Sequence, residues 1–362
     1  MKFVHIADLH FDSPFTTLNR IENLSNIRRL EQREALRNVI EYIKENNIEY
    51  LFIAGDLYEH EYVRQSTIEY INNLFKEVPN TKIFIVPGNH DPYLINSYYS
   101  KYSWSDNVHI FDGKISKISL KECDIYGVGF EDFYCKNSMI ENIKIEDNEK
   151  INILITHGSL DASEKNEEDY FNYNPIKNTK LKELNFDYVA LGHIHKNNFS
   201  KDGRIIYPGS LISFGFDELG KHGMVVGEIS KDNINLEFKV IDNREFINQE
   251  INVTEILSEE ELVEKINKIQ QLKSELYKII LVGNKNFEID VNHISKLIQN
   301  DCIIKIKDET KVKYDLNEIS NEYDLRGIFV KLMLEKMKNT ESKEEKEIIK
   351  KAIEIGIDAL EG

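Results

Sequence analysis

Lys82-Ile83-Phe84-Ile85-Val86-Pro87-Gly88-Asn89-His90-Asp91 is the stretch from which the rest of the chain can be read. The apolar run is short and β-branched or aromatic, which suits a buried strand better than a helix. Directly after it come three side chains able to hold a metal or move a proton. The pattern recurs four times. Apolar runs at 3–7, 50–54, 151–155 and 188–191 lead into Asp8-Leu9-His10, Gly55-Asp56, Thr156-His157-Gly158 and Gly192-His193-Ile194-His195. Each strand therefore delivers functional side chains at its carboxyl end, where a stiff sheet meets an open loop. Singly, each motif has an ordinary explanation: a turn carboxylate, a turn glycine, or alternate strand residues that point one way by pleating. Together they point to two divalent cations, which at about 3.5–4 Å apart generate hydroxide from water and clamp both the attacking and the leaving oxygen of a phosphate ester. Mixed nitrogen and oxygen donors favour manganese, with iron or zinc next. No cysteine sits in any of the five motifs, which argues against a thiolate site or an iron–sulfur cluster there.

Between the first three ligand strands lie helical stretches at 27–45 and 65–76, giving β-α-β-α-β order and a parallel portion of sheet. The later part reads as short strands at 110–120, 123–130, 205–208, 224–229 and 234–241, separated by Gly, Asp and Asn turns. The fold class expected is α/β: a two-sheet sandwich flanked by helices. His5, His60, His109, His222 and His293 belong to no motif and are expected in the core or on the surface.

At the motif residues the chain resembles the calcineurin-like metallophosphoesterases and, within them, the SbcD-type DNA repair exonucleases. The order D-x-H, G-D, G-N-H-D, H, G-H-x-H is complete over roughly the first half of the chain. The resemblance implies that Asp8, His10 and His195 hold one metal, that Asn89, His157 and His193 hold the other, and that Asp56 bridges them. It leaves His90 to orient the phosphate and protonate the leaving oxygen, with Asp91 fixing the His90 ring through a hydrogen bond. Relatives with endonuclease chemistry carry a histidine three places after the bridging aspartate. This chain has Glu59 there, followed by His60, which shifts the expectation toward exonuclease action on DNA ends. Asp12 stands where many relatives have glycine, and the sequence assigns it no role. Tyr207-Pro208-Gly209-Ser210 matches a family signature and reads equally well as a tight turn.

Composition sets the frame. With 362 residues, 41% apolar and 30% charged, the chain can bury a full core and more than one domain. No leading segment resembles a signal peptide, no run reaches the ~20 apolar residues that span a bilayer, and the three cysteines are scattered. A cytoplasmic location without membrane attachment is expected. The net charge of −17 is unusual for a DNA-binding protein, because neutralised phosphates supply most nonspecific affinity. Much of the acid lies away from the motifs, as at 164–169 and 258–264. Arg29, Arg33 and Arg37, with Arg28 beside them, form the best basic strip, either as a phosphate contact or as a solvated face paired with neighbouring glutamates. Such acidity favours a protein that relies on a partner for DNA affinity.

The phosphoesterase domain is expected over 1–245. From 246 to 320 a second β-α-β-α-β pattern reads as a small α/β cap. Over 321–362, Leu325, Ile328, Phe329, Leu332 and Met333 make an apolar stripe, and Ser342-x-x-Glu345 is a capping box before a second amphipathic helix. SbcD-like proteins dock such helices on the coiled coil of an SMC-like ATPase of the SbcC type, and a homodimer is also open. Two other readings stand beside the exonuclease: a phosphoesterase for small nucleotides or phosphoesters, and a weakly active scaffold that binds DNA ends.

Overall fold

Strand β1, Lys2–Ile6, lies at the centre of the first sheet because every residue after Lys2 is buried on one face or the other. It pairs in parallel with β2, Tyr50–Ala54, and β2 with β3, Lys82–Val86. The crossovers are the helices α1, Leu24–Glu45, and α2, Gln65–Lys76. A short β4, Val108–Ile110, extends the sheet beyond β3. The computed structural model describes residues 1–15, 18, 24–161, 173–201, 203–269, 274–312 and 314–361. The acidic run at 164–169 lies outside them.

The run expected as one strand over 110–120 is two. It breaks at Asp112-Gly113, where the Asp112 carboxylate accepts the Lys114 N–H at 2.9 Å, and resumes as β5, Ser116–Ser119, in a different sheet. An aspartate turn of this kind satisfies the backbone locally and frees the chain to change layers. The second sheet continues with β6, Cys123–Val128, β7, Ile151–His157, β8, Tyr188–Gly192, and β9, Ile205–Ile206, parallel from β6 onward. Strands β10, Gly223–Ile229, and β11, Ile234–Val240, return to the first sheet, antiparallel on the far side of β1. The sheet orders are β11-β10-β1-β2-β3-β4 and β5-β6-β7-β8-β9.

The two sheets face each other across one apolar layer. Phe3, Phe52 and Phe84 from the first sheet pack with Ile125, Ile153 and Tyr188 from the second. Alternate residues of the second sheet, Tyr126, Leu154 and Val189, point the other way, onto Ile140, Ile176 and Leu181. Parallel strands buried on both faces read as continuous apolar runs, which is why their residues lack alternation in the sequence. The sandwich brings the carboxyl ends of β1, β2, β3, β7 and β8 together.

The chain divides into two compact units: Met1–Ile247 with Leu272–Tyr277, and Asn248–Gln271 with Lys278–Gly362. The strands β12, Glu245–Asn252, and β13, Glu275–Val282, each of which starts in the first unit, form a three-stranded sheet with the strand Ile303–Asp308, with helices Glu259–Asn267 and Val291–Leu297 in the connections. The last helices of the second unit, Leu325–Lys338 and Lys343–Glu361, close over Ile319, Val330, Ile349, Ile353 and Ile357. The capping box forms, with the Glu345 N–H donating to Ser342 Oγ at 3.3 Å. Residues 246–320, apart from a few, and residues 321–362 fall in this second unit. No helix among the described residues is long and apolar enough to cross a membrane.

Candidate metal centre

Every metal-capable motif residue except Asp91 points into one cluster at the strand ends. His10 Nε2 lies 3.0 Å from His195 Nε2 and 3.5 Å from Asp56 Oδ2. His157 Nε2 lies 3.3 Å from the same Asp56 oxygen and 3.0 Å from Asn89 Oδ1, and His193 Nδ1 stands 3.2 Å from that amide oxygen. Three sets of ligand atoms gather within 4.8 Å of one another: Asp8 with His10 and His195, His10 with Asp56 and His90, and Asp8 with Asp56 and His157. Asp56 appears in two of the three.

These residues fit a pair of cations. Asp8 is fully buried, and its Oδ2 has no hydrogen-bond partner. An orphaned carboxylate oxygen in the interior is costly unless something positive completes it. Burial, and to a lesser degree the Asp56 charge, pushes its pKa upward against the pull of the nearby imidazoles. Two imidazole nitrogens at 3.0 Å, both beside the same carboxylate, are likewise the arrangement of ligands around a common centre.

The backbone is strained locally by this convergence. Asp8, His10 and Asp56 have φ of 53°, 47° and 52°, and His193 has 108°, values that L-residues avoid unless the surroundings impose them. Glycine makes the close approach possible. A Cβ at Gly192 would sit 1.8 Å from the Ala54 carbonyl oxygen, and one at Gly88 would sit 2.2 Å from Asp56 Oδ1.

Several residues that hold the ligands were not singled out by sequence pattern. Gln32 on α1 is buried and donates to the carbonyls of Leu9 and His10 at 2.5 and 3.1 Å, fixing the Asp8-Leu9-His10 loop. Glu218 accepts from His195 Nδ1 at 2.6 Å and also from Ser210 Oγ and the Phe214 N–H. Tyr207-Pro208-Gly209-Ser210 carries the Ser210 N–H to the His195 carbonyl at 3.0 Å, so this turn supports the His195 loop. Among the unassigned histidines, His5 and His222 are buried; His5 meets the Tyr188 hydroxyl at 2.9 Å and His222 the Ser210 hydroxyl at 2.8 Å. Apart from the Tyr207–Ser210 turn, which the sequence marks, these contacts have no sequence signature, because each is made by residues that only the fold brings together.

Asp91 does not take the role expected of it, and Glu59, for which the sequence predicts no hydrogen bond, takes it instead. Asp91 does not touch the His90 ring. It is fully buried and accepts the backbone N–H groups of Asp56, Leu57 and Gly88 at 3.1, 2.6 and 2.7 Å, and the Tyr99 hydroxyl at 2.5 Å. It thereby holds the two ligand loops together. The partner of the His90 ring is Glu59, whose two oxygens accept from His90 Nδ1 at 2.9 Å and His10 Nδ1 at 2.8 Å. Burial pulls the His90 pKa down, but the Glu59 hydrogen bond and the Asp56 charge outweigh it and raise it to about 9. Cations at the cluster would draw that value back toward neutrality.

Asp12 also acquires a role. Its carboxylate accepts the Arg64 N–H at 3.0 Å and the Thr67 hydroxyl at 2.7 Å at the start of α2, and Arg33 lies 3.6 Å away. The basic strip is engaged in the same way. Arg28 is buried in a paired contact with Asp242, Arg29 donates to the carbonyls of Ser13 and Pro14, and Arg37 lies over Tyr70. These side chains fasten α1 to its neighbours.

Residues 1–197 match the calcineurin-like phosphoesterase family. The chain belongs to that family. It is accordingly a metal-dependent hydrolase. Among its relatives is the uncharacterized metallophosphoesterase YhaO of Bacillus subtilis (strain 168), 26% identical over 250 residues, covering 66% of this chain and 60% of that one, so the match spans less than two thirds of that relative. Another is the D subunit of the nuclease SbcCD of Staphylococcus epidermidis (strain ATCC 12228 / FDA PCI 1200), 25% identical over 340 residues, covering 85% of this chain and 82% of that one. The crystal structure of TT1561 of Thermus thermophilus aligns at a TM-score of 0.39 and 10% identity, covering 66% of this chain and 98% of that one.

Proposed function

We propose that this phosphoesterase is an exonuclease acting on DNA ends, working as the nuclease subunit of a complex with an SMC-like coiled-coil ATPase. Asp8, His10 and His195 would hold one cation, Asn89, His157 and His193 the other, with Asp56 shared, and manganese suits the donor set. When bound, such cations supply a hydroxide nucleophile and neutralise charge on the phosphate. The observation that carries the reading is the His90–Glu59 pair beside that cluster. His90 is partly exposed and its Nδ1 is engaged by Glu59, which would leave Nε2 for substrate. A ring so held can donate a proton to the departing sugar oxygen. Glu59 ties the same carboxylate to His10, so acid and ligand are positioned by one group.

Support for a polymeric substrate comes from the length of the match to the SbcCD nuclease relative, which covers 85% of this chain and so reaches beyond the phosphoesterase unit. Leu325, Ile328 and Leu332 stand exposed on the helix Leu325–Lys338, the kind of stripe that fits a helical partner. The test is manganese-dependent hydrolysis of end-labelled linear DNA beside covalently closed single-stranded circles. Degradation of the linear form with little nicking of the circles is expected. Efficient nicking would refute the restriction to ends, and a preference for mononucleotides over every oligonucleotide would favour a small-substrate phosphoesterase.

A further inference from the structure

Beside His193 the structure holds an aromatic stair that neither the ligand set nor the proton donor uses. The Tyr173 ring lies 5.1 Å from the His193 ring, and the Tyr134 ring stacks on Tyr173 at 5.8 Å with 26° between planes. Tyr134 is 62% exposed. An exposed tyrosine alone means little, since much of any protein surface is apolar. Its mounting is what matters. Cys135 pairs with Tyr173 as a parallel bridge, and the Asn174 N–H donates to the Cys135 carbonyl at 2.7 Å. Asn174, fully buried and held at φ 48°, donates through its side chain to the His157 carbonyl at 2.7 Å and accepts the Met139 N–H at 2.8 Å. One buried amide thus locks both tyrosine loops to the strand end that carries a ligand histidine.

We propose that Tyr134, backed by Tyr173, is a stacking platform for a nucleobase of the strand whose phosphate lies at the metal centre. This rests on the nucleic-acid reading above and specifies how that substrate is gripped. Charge decides in favour of a base over further phosphates as the occupant. The chain carries a net charge of −17, and the arginines of α1 are engaged within the fold, so backbone neutralisation is a poor source of affinity here. Stacking on an aromatic face needs no charge and tolerates any base, as an exonuclease requires. The stair also starts at the centre itself, two ring-to-ring steps from His193 to Tyr134, so a base stacked there belongs to a strand that can run on to the ligands.

The experiment compares a single-stranded oligonucleotide with the same oligonucleotide made abasic at its two terminal residues at each end, by kcat/KM with manganese. Wild type and Tyr134→Phe are expected to prefer the intact ends by about tenfold, the scale of one stacked base. Tyr134→Ala should cleave both at the abasic rate, with an unchanged thermal midpoint because Tyr134 lies on the surface. A terminal 2-aminopurine should show stacking-dependent quenching with wild type and Tyr134→Phe but not with Tyr134→Ala. Retention of the full base preference by Tyr134→Ala would overturn the platform. If wild type cleaves no oligonucleotide yet hydrolyses thymidine 5′-p-nitrophenyl phosphate, the nuclease reading fails. The platform is then judged on that ester against methyl p-nitrophenyl phosphate, and equal preference for the nucleoside ester in wild type and Tyr134→Ala would sink it.

Discussion

The two compact units use their interiors in opposite ways. In the first, His5, Asp8, His10, Arg28, Asp56, Asp91, His157, His222 and Asp242 are all buried and held in hydrogen-bond networks. In the second, the only buried polar side chain among the described residues is Asn300, while Leu325, Ile328, Leu332, Ile348 and Ile355 lie exposed. One unit uses apolar burial to hold charged groups where water would otherwise scatter them. The other has a small apolar core and apolar side chains left over. The difference teaches that a reactive centre needs polar groups taken out of water and held by bonds, whereas the docking proposed for the second unit would use apolar groups kept in water until a partner arrives.

The sharpest way to break the comparison is Asp56→Ala. It should abolish hydrolysis, by more than about 10³-fold, and lower bound metal, since even a partner one shell removed is worth about 10–100-fold in affinity. Two metals per chain by elemental analysis of the variant would break the assignment. His90→Ala should keep both metals and lose about 10²–10⁴-fold in rate, so rate and metal content separate the donor from the ligands. Glu218→Gln should weaken metal binding about 10–100-fold while the fold persists, measured by titration of the apoprotein.

The second unit gives a contrasting pair. Ile353 is 0% exposed, and Ile353→Asp should cost several kcal/mol and melt the helical pair. Ile328 and Leu332 are 55% and 61% exposed. Their joint change to Asp should alter folding by no more than about 0.5 kcal/mol each and abolish binding of an SMC-like ATPase, read by circular dichroism and co-purification. Retained binding would place the docking surface elsewhere.

The last effect expected is graded with pH and falls on acid stability. Burial pushes the His5 pKa down to about 3. A histidine whose folded value lies below its unfolded value of about 6.5 binds its proton first in the unfolded chain, so its contribution is complete above pH 6.5 and is lost progressively as pH falls toward 3. Between pH 6.5 and 5 the loss is about 2 kcal/mol. His5→Asn should flatten the unfolding free energy of the metal-free protein across that window, whatever it costs at neutral pH. An unchanged slope would show that His5 is not buried neutral.

Much of the molecule was legible because its signals are local. Five short strands ending in polar side chains, a helix over 65–76 and a capping box at Ser342 are each written in a handful of consecutive residues. The break at Asp112-Gly113 has a turn signal of its own, but nothing in the apolar residues on either side, Ile110, Phe111, Ile115 and Ile118, says that the two halves enter different sheets.

Sequence by itself determined which residue types stand at the strand ends, and with them the family and the candidate ligands, because pleating and strand length leave little freedom in where a motif points. Only the tertiary structure decided which carboxylate serves which histidine. Glu59 and Asp91 are both acids next to motif residues, yet Glu59 holds His90 and His10 while Asp91 holds backbone. The same is true of Gln32, Glu218 and the Tyr134–Tyr173 stair. The physical reason is that a hydrogen bond or a ring contact is set by distances of a few ångströms in space, and residues far apart in the chain meet at that range only after two sheets have closed on a common core.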